Sequence, residues 1–368
     1  MCKLLTNLRR SALLAATALS LAALPYNAAR PADLGNRTIG FVLTNKYWAV
    51  YTTDDGKAEC PHGLNDGPRE QFAKLFPEDH KQLTLLDTAL AREADSWFPA
   101  AQEPATDRGP LPYYYAQGKT AIGLNLDGKV GPNDFTSPEG EPGIDNQLYR
   151  AIGCVAGFRP GGPFYFFFNE YMERYAFNRV LMEISGVDNL VNDDDVTVTL
   201  YRGRDPLITS ADGNDFLPGS SQQIDWRWGQ RYIHRLKGKI VNGVLTTEPA
   251  DITLPYANTF DTNPDQTFKA GRLRLKLTPT SAEGLLGGYV DVEEWHRGFA
   301  INWSTHHVSY GQGSIPSITR ALRGLADAYP DPVTGKNTAI SSALQLKFVQ
   351  AFILHPTESR KPTVAVAP

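Results

Sequence analysis

Four residues in the C-terminal third are of the types that move protons or bind metals: Glu294, His296, His306 and His307. A carboxylate and imidazoles can form a general acid–base site or a ligand set for a transition metal. If residues 289–293 form a strand, Glu294 and His296 continue the inward face of Val290 and Val292. That places a carboxylate and an imidazole at the rim of an apolar face, where pKa values shift readily. His306 and His307 follow ten residues later, and strand alternation lets one of the two join His296. Asp291 and Glu293 form a second pair, spaced like glycosidase carboxylates but opposed by Arg272, Arg274 and Lys276 on a neighbouring strand. The chain has no G-x-S-x-G, no phosphate-binding loop, no dinucleotide fingerprint and no C-x-x-C-H.

A different chemistry is written in residues 125–147, which hold five acidic residues, four glycines and three prolines. Glycine and proline exclude a regular helix or central strand there. Hard oxygen donors on a bending loop suit Ca²⁺, and Asn125, Asp127, Asp134, Asp145 and Asn146 are the expected ligands, with Glu139 and Glu141 as further donors. The spacing is not that of an EF-hand loop. The competing reading is a solvated acidic turn closed by Asx bends. Residues 212–215 and the acidic run at 193–195 are smaller candidates that read more simply as a turn and a strand edge.

Aromatic residues supply a third signal. Tyr114 stands in a tyrosine run behind two prolines, and Trp226 and Trp228 are expected on one side of an extended segment. Together with Trp303 they are candidates for stacking on a sugar or another flat ligand, although core packing is the commoner role of a tryptophan.

The elements that must hold these residues read as mainly β. Residues 38–53 alternate and suggest a hairpin turning near Asn45-Lys46; residues 68–97 suggest two helices broken at Pro77. Residues 164–168 and 299–303 read as strands. Strands are also expected at 179–184 and 196–201, and a hairpin around Asn242-Gly243. In residues 272–277 three leucines face one way and three cations the other; pairing with residues 289–293 would set leucines against valines. Residues 315–329 read as a helix and residues 340–354 as a closing strand. The fold class this implies is an antiparallel β-sandwich, jelly-roll or lectin-like, with a few peripheral helices.

A basic start, an Ala/Leu-rich run over residues 11–24 and small residues at 28–29 form the pattern of a cleaved signal peptide. Residues 1–29 are therefore expected to be removed, by the Sec or the twin-arginine route, leaving 30–368 as one β-rich domain, periplasmic or secreted. Loss of three basic residues takes the net charge from −4 to −7. An acidic chain without basic clusters does not suit nucleic acid, and no later segment is apolar enough for a membrane span. Cys60 and Cys154, the two cysteines beyond the signal, are expected to pair in an oxidising compartment. Three readings stay open: a Ca²⁺-stabilised protein binding an extracellular glycan or small molecule, a hydrolase or lyase built on Glu294 and the histidines, and a structural envelope protein. The ligand and the oligomeric state are not written in the sequence.

Overall fold

The computed structural model describes residues 37–65, 113–162, 169, 172–173, 175–176, 178–256, 265–298 and 315–355. In chain order the elements are β1 (Arg37–Trp48), β2 (Phe135–Thr136), β3 (Pro142–Ile144), α1 (Gln147–Ile152), β4 (Val180–Val187), β5 (Asp193–Arg202) and β6 (Ser220–Gln223). There follow β7 (His234–Val241), β8 (Val244–Thr247), β9 (Ala250–Pro255), β10 (Asp265–Leu277), β11 (Ser281–Asp291), α2 (Ile315–Leu325), β12 (Ala328–Pro330) and β13 (Asn337–Leu354). The expected signal peptide, the helices at 68–97 and the strands at 164–168 and 299–303 lie outside the described residues.

The sandwich expectation is overturned. Eight antiparallel strands run in the order β1-β4-β5-β7-β8-β10-β11-β13, and β13 pairs back onto β1, so the sheet closes into a barrel. A sandwich and a barrel share the same alternation along each strand, inward apolar and outward polar, so periodicity alone does not separate them. What separates them is the β1–β13 pairing, with Phe41 opposite Gln350 and Trp48 opposite Leu344. The expected hairpin at residues 38–53 is a single strand. Its register slips between Leu43 and Asn45, a bulge that turns Lys46 rather than a chain reversal.

Inward alternation holds on every barrel wall. Val196, Val198 and Leu200 on β5 and Leu273, Leu275 and Leu277 on β10 are buried in one core cluster. The leucines of β10 face Leu286, Gly284 and Ala282 of β11 rather than valines, because the intervening turn comes earlier than expected. Outside, Lys276 does meet a carboxylate, Glu283, while Arg274 reaches across to Glu141 at 2.6 Å.

The two ends of the barrel differ. At one end β4–β5, β7–β8 and β10–β11 are joined by short turns. Asn242 (φ 52°) and Gly243 (φ 78°) form the two-residue hairpin that their sequence predicts. At the other end emerge the long connections 49–179, 203–233, 248–264 and 292–336. The first of these lays residues 113–162 against the barrel, where Gly287 admits Leu124: a Cβ at 287 would sit 3.0 Å from its Cδ1. Cys60 and Cys154 are joined by the expected disulfide within this connection.

Candidate functional site

Long connections at one end of a barrel are where binding groups can be assembled on a rigid frame. The strand leading there is β5. Its alternation sends Leu200 inward and Tyr201 outward, and Tyr201 and Arg202 to opposite sides. The chain returns antiparallel beside this strand end, with Gly203 bridged to Ile224 and Asp225 N donating to Arg202 O at 2.8 Å. It then makes a single 3-10 turn, Trp226–Trp228, capped by Asp225, whose carboxylate accepts from Arg227 N at 3.3 Å. The expected extended segment is thus a tight turn, and its two indoles part instead of sharing a side.

Each tryptophan lines its own cleft of roughly 400 Å³. Trp228 stands with Tyr175, Arg202, Arg204, Asp225 and Arg227 around the first. Trp226, 40 % exposed, stands with Tyr201, Gln230, Ile233, Arg235 and His355 around the second.

In the first cleft the Arg202 guanidinium lies 4.4 Å from the Trp228 ring and 5.2 Å from that of Tyr232. It is buried, and its Nη1 donates to Tyr232 Oη at 3.3 Å. Tyr232 in turn donates to Asp265, which also holds Arg231. Burial and the Asp265 carboxylate push the Tyr232 phenol up to about 12, so it remains a donor. Asp225 is held below the usual carboxylate range, first by its hydrogen bonds to Arg227, with Nε and Nη2 both at 2.8 Å. In the second cleft His355 Nε2 lies 2.7 Å from Glu183 Oε2, and the Tyr201 ring meets His355 edge-on. Burial, then Glu183, raises the Tyr201 phenol.

The residues around Glu294 are arranged differently from the expected strand. Residues 292–298 are helical, and Asp291 caps them by accepting from Glu293 N at 2.9 Å and Glu294 N at 3.4 Å. Two residues apart on a helix point to different sides. Glu294 accepts from Thr267 N at 3.0 Å, and burial raises its pKa; His296 Nδ1 lies 3.6 Å from Glu293. Glu293 is clamped by Arg323 at 2.7 and 2.9 Å. His306, His307 and Trp303 lie outside the described residues. Tyr114 packs against His62, its backbone held by Asn65, and lines neither cleft.

The donors proposed for Ca²⁺ have backbone partners. Asn125 Oδ1 accepts from Gly128 N at 2.7 Å, Asp127 Oδ1 from Lys129 N at 2.8 Å, and Asp134 Oδ2 from Gly131 N. Asn146 caps α1 through Tyr149 N at 3.1 Å. Asp145 accepts from Leu126 N at 2.6 Å, and burial, with Asp134 and Asp127 nearby, pushes it up to about 6. Among the described residues no group of three or more His, Cys, Asp or Glu is placed to hold a metal ion. The run at 212–215 closes on itself through Asp212, which accepts from Ser210 Oγ and Asn214.

One further polar group is unusual. Lys46 is 1 % exposed near the elaborated end, its Nζ 3.4 Å from Pro255 O and 5.0 Å from the Tyr256 ring. Burial lowers its pKa to about 7. Beside it Tyr256 packs on Trp295, whose indole donates to Ser342 Oγ at 3.2 Å. An amine of this pKa suits nucleophilic chemistry, but here it is sealed from solvent.

Sequence reasoning found Trp226 and Trp228 but missed Tyr201, Arg202 and His355. The signal for the first two was the strand that ends in them. No family model, curated protein or solved structure matches the chain. Among the described residues no helix is long and apolar enough to cross a membrane.

Proposed function

We propose that this is an exported protein that binds a glycan across the two clefts flanking the Trp226–Trp228 turn. The observation that carries this reading is the placement of one partly exposed indole in each of two neighbouring clefts, on a turn fixed to a barrel strand. Sugars present flat C–H faces that rings cover, while flanking polar groups orient the hydroxyls. Arg235, Gln230 and His355 are available for that in one cleft, and the arginines in the other. The signal-like N-terminus and the disulfide support export. Two measurements test the proposal. Fractionation should place the mature chain outside the cytoplasm. A panel of plant, algal and bacterial oligosaccharides should yield a ligand whose affinity falls at least about tenfold in Trp226→Ala and Trp228→Ala. Failure of every panel member to bind, or full retention of binding in the double variant, sinks it.

A second reading rests on the Glu183–His355 contact, which places an oriented imidazole beside Trp226. Such a pair can serve as a general base. In that case a bound glycan is cleaved, and His355→Ala abolishes release of product while leaving binding intact. Absence of cleavage of every bound glycan removes this reading.

A further inference from the structure

We propose that the Trp228 cleft is an oxyanion site, and that the glycan it takes carries carboxylate or sulfate groups. The sugar half of this statement rests on the reading above; the anion half stands on the cleft itself.

A guanidinium has five N–H donors in a rigid fork and is always charged. Arg202 is 6 % exposed, yet one hydrogen bond, to Tyr232 at 3.3 Å, is all that it makes among the described residues. Its Nε is buried without a hydrogen-bond partner. The nearest carboxylate, Asp225, is 4.0 Å from that nitrogen. Asp225 does not complete the fork, because at 4.0 Å its oxygen lies beyond hydrogen-bond reach, while its hydrogen bonds go to Arg227. A buried cation left so short of acceptors is costly unless something else supplies them.

The rest of the lining points the same way. Arg204 is exposed at the cleft and donates to the neutral Gln223, so its charge is not neutralised there. Arg227 is neutralised by Asp225. Three guanidiniums against one carboxylate leave the cleft with an excess of two positive charges. Trp228 and Tyr232 hold the Arg202 guanidinium against their ring faces, at 4.4 and 5.2 Å, which restrains its fork before any ligand arrives. Planar bidentate recognition of an oxyanion is what such a fork does best, and a carboxylate or sulfate on a sugar ring brings the ring to Trp228.

The experiment is titration calorimetry of the full mature chain with four probes: hexagalacturonate, a sulfated oligosaccharide of similar length, a neutral hexasaccharide, and free glucuronate or inorganic sulfate. At least one acidic oligosaccharide is expected to bind at least about tenfold tighter than the neutral one, with an affinity that falls as salt rises. Arg204→Gln, a surface change that leaves the fold alone, should weaken acidic ligands several-fold and neutral ones by a smaller factor, so that the acidic-over-neutral preference narrows. Arg202→Gln should weaken acidic ligands more, provided its melting curve shows a folded protein. Preference for galacturonate over the sulfated probe, or the reverse, identifies which oxyanion the site prefers. Equal affinity for acidic and neutral oligosaccharides overturns the anion site but spares the glycan reading. Binding of free sulfate or glucuronate without any oligosaccharide keeps the anion site and removes the glycan. No binding of any probe overturns both.

Discussion

The two ends of the barrel have the same strands and opposite characters. At the short-turn end the connections serve each other: Asn242 N donates to Asn192 Oδ1, Gly243 N to Val191 O, and Leu277 N to Gly243 O. These turns bond to one another across the end of the sheet and reverse the chain. At the other end lie a sealed lysine, a guanidinium short of acceptors and two aromatic clefts. Placing such groups near a core disfavours folding unless they do something else. The contrast therefore separates a part of the molecule built for stability from a part that carries the candidate function. Substitutions at the first should lower stability alone; replacement of buried polar groups at the second should raise it.

Lys46 tests that contrast hardest. Its folded pKa of about 7 lies below the ordinary value of 10.5. The unfolded chain therefore binds more protons between those values, and stability rises with pH across that window. Above it the amine is neutral in both states and the penalty vanishes; at or below about pH 7 the penalty is complete, up to roughly 5 kcal/mol. Lys46→Met should therefore be more stable than the parent at about pH 6, and the advantage should shrink steadily towards about pH 10. Calorimetric melts at three pH values measure this. A variant that is less stable at every pH would mean that the amine supports the fold, and the contrast would lose its strongest member.

Asp145 is the next largest. Burial raises it from 3.8 to about 6, so its penalty is absent below about pH 4, grows as pH rises between the two values and is complete above about pH 6. Asp145→Asn keeps an oxygen for Leu126 N. It should gain up to about 3 kcal/mol near pH 8 and nothing near pH 4. Denaturant titrations at the two pH values decide; an equal effect at both would show that charge is not what the site resists.

At the plain end the expected effect is smaller and of opposite sign. Gly243 stands at φ 78°, where an L side chain is strained. Gly243→Ala should lower stability by about 1–2 kcal/mol and leave glycan affinity untouched. A loss of binding in this variant would mean that the two ends are coupled.

How legible all this was in the sequence follows the same division. The β4, β5, β7 and β8 strands and the Asn242-Gly243 turn were readable because local alternation and turn chemistry fix them. The closure was not, because it joins residues about 300 positions apart, and no local pattern records a pairing of β1 with β13. Lys46 looked like a turn residue because a lysine is not expected to face a core. Residues 290, 292, 294 and 296 continued an apparent alternation, but Asp291 captured two backbone amides and started a helix instead. Trp226 and Trp228 were legible only as candidate ligand rings beside the commoner reading of core packing, and their parting into two clefts depended on one capping carboxylate. Arg202 was invisible, since a cation at a strand end reads as solvated until its burial is seen.

The smallest expected effect concerns the acidic loop. A bound Ca²⁺ would need several oxygens at about 2.3–2.6 Å with free lone pairs converging on one point. One side-chain oxygen each of Asn125, Asp127 and Asp134 closes a turn on a nearby backbone amide, and Gly143 fits the bend: a Cβ there would sit 2.3 Å from Lys129 O. The loop is thus held by its own backbone bonds, in the manner of the short turns at the far end of the barrel. Melting curves with and without EDTA should coincide, and metal analysis of the purified protein should find no stoichiometric calcium. A chelator-dependent drop in Tm would show that the carboxylates near Asp145 share a cation, and would also explain how a buried acid beside two others is tolerated above about pH 6. In that case Asp145→Asn should lose stability at about pH 8 instead of gaining it, so the two measurements check one another.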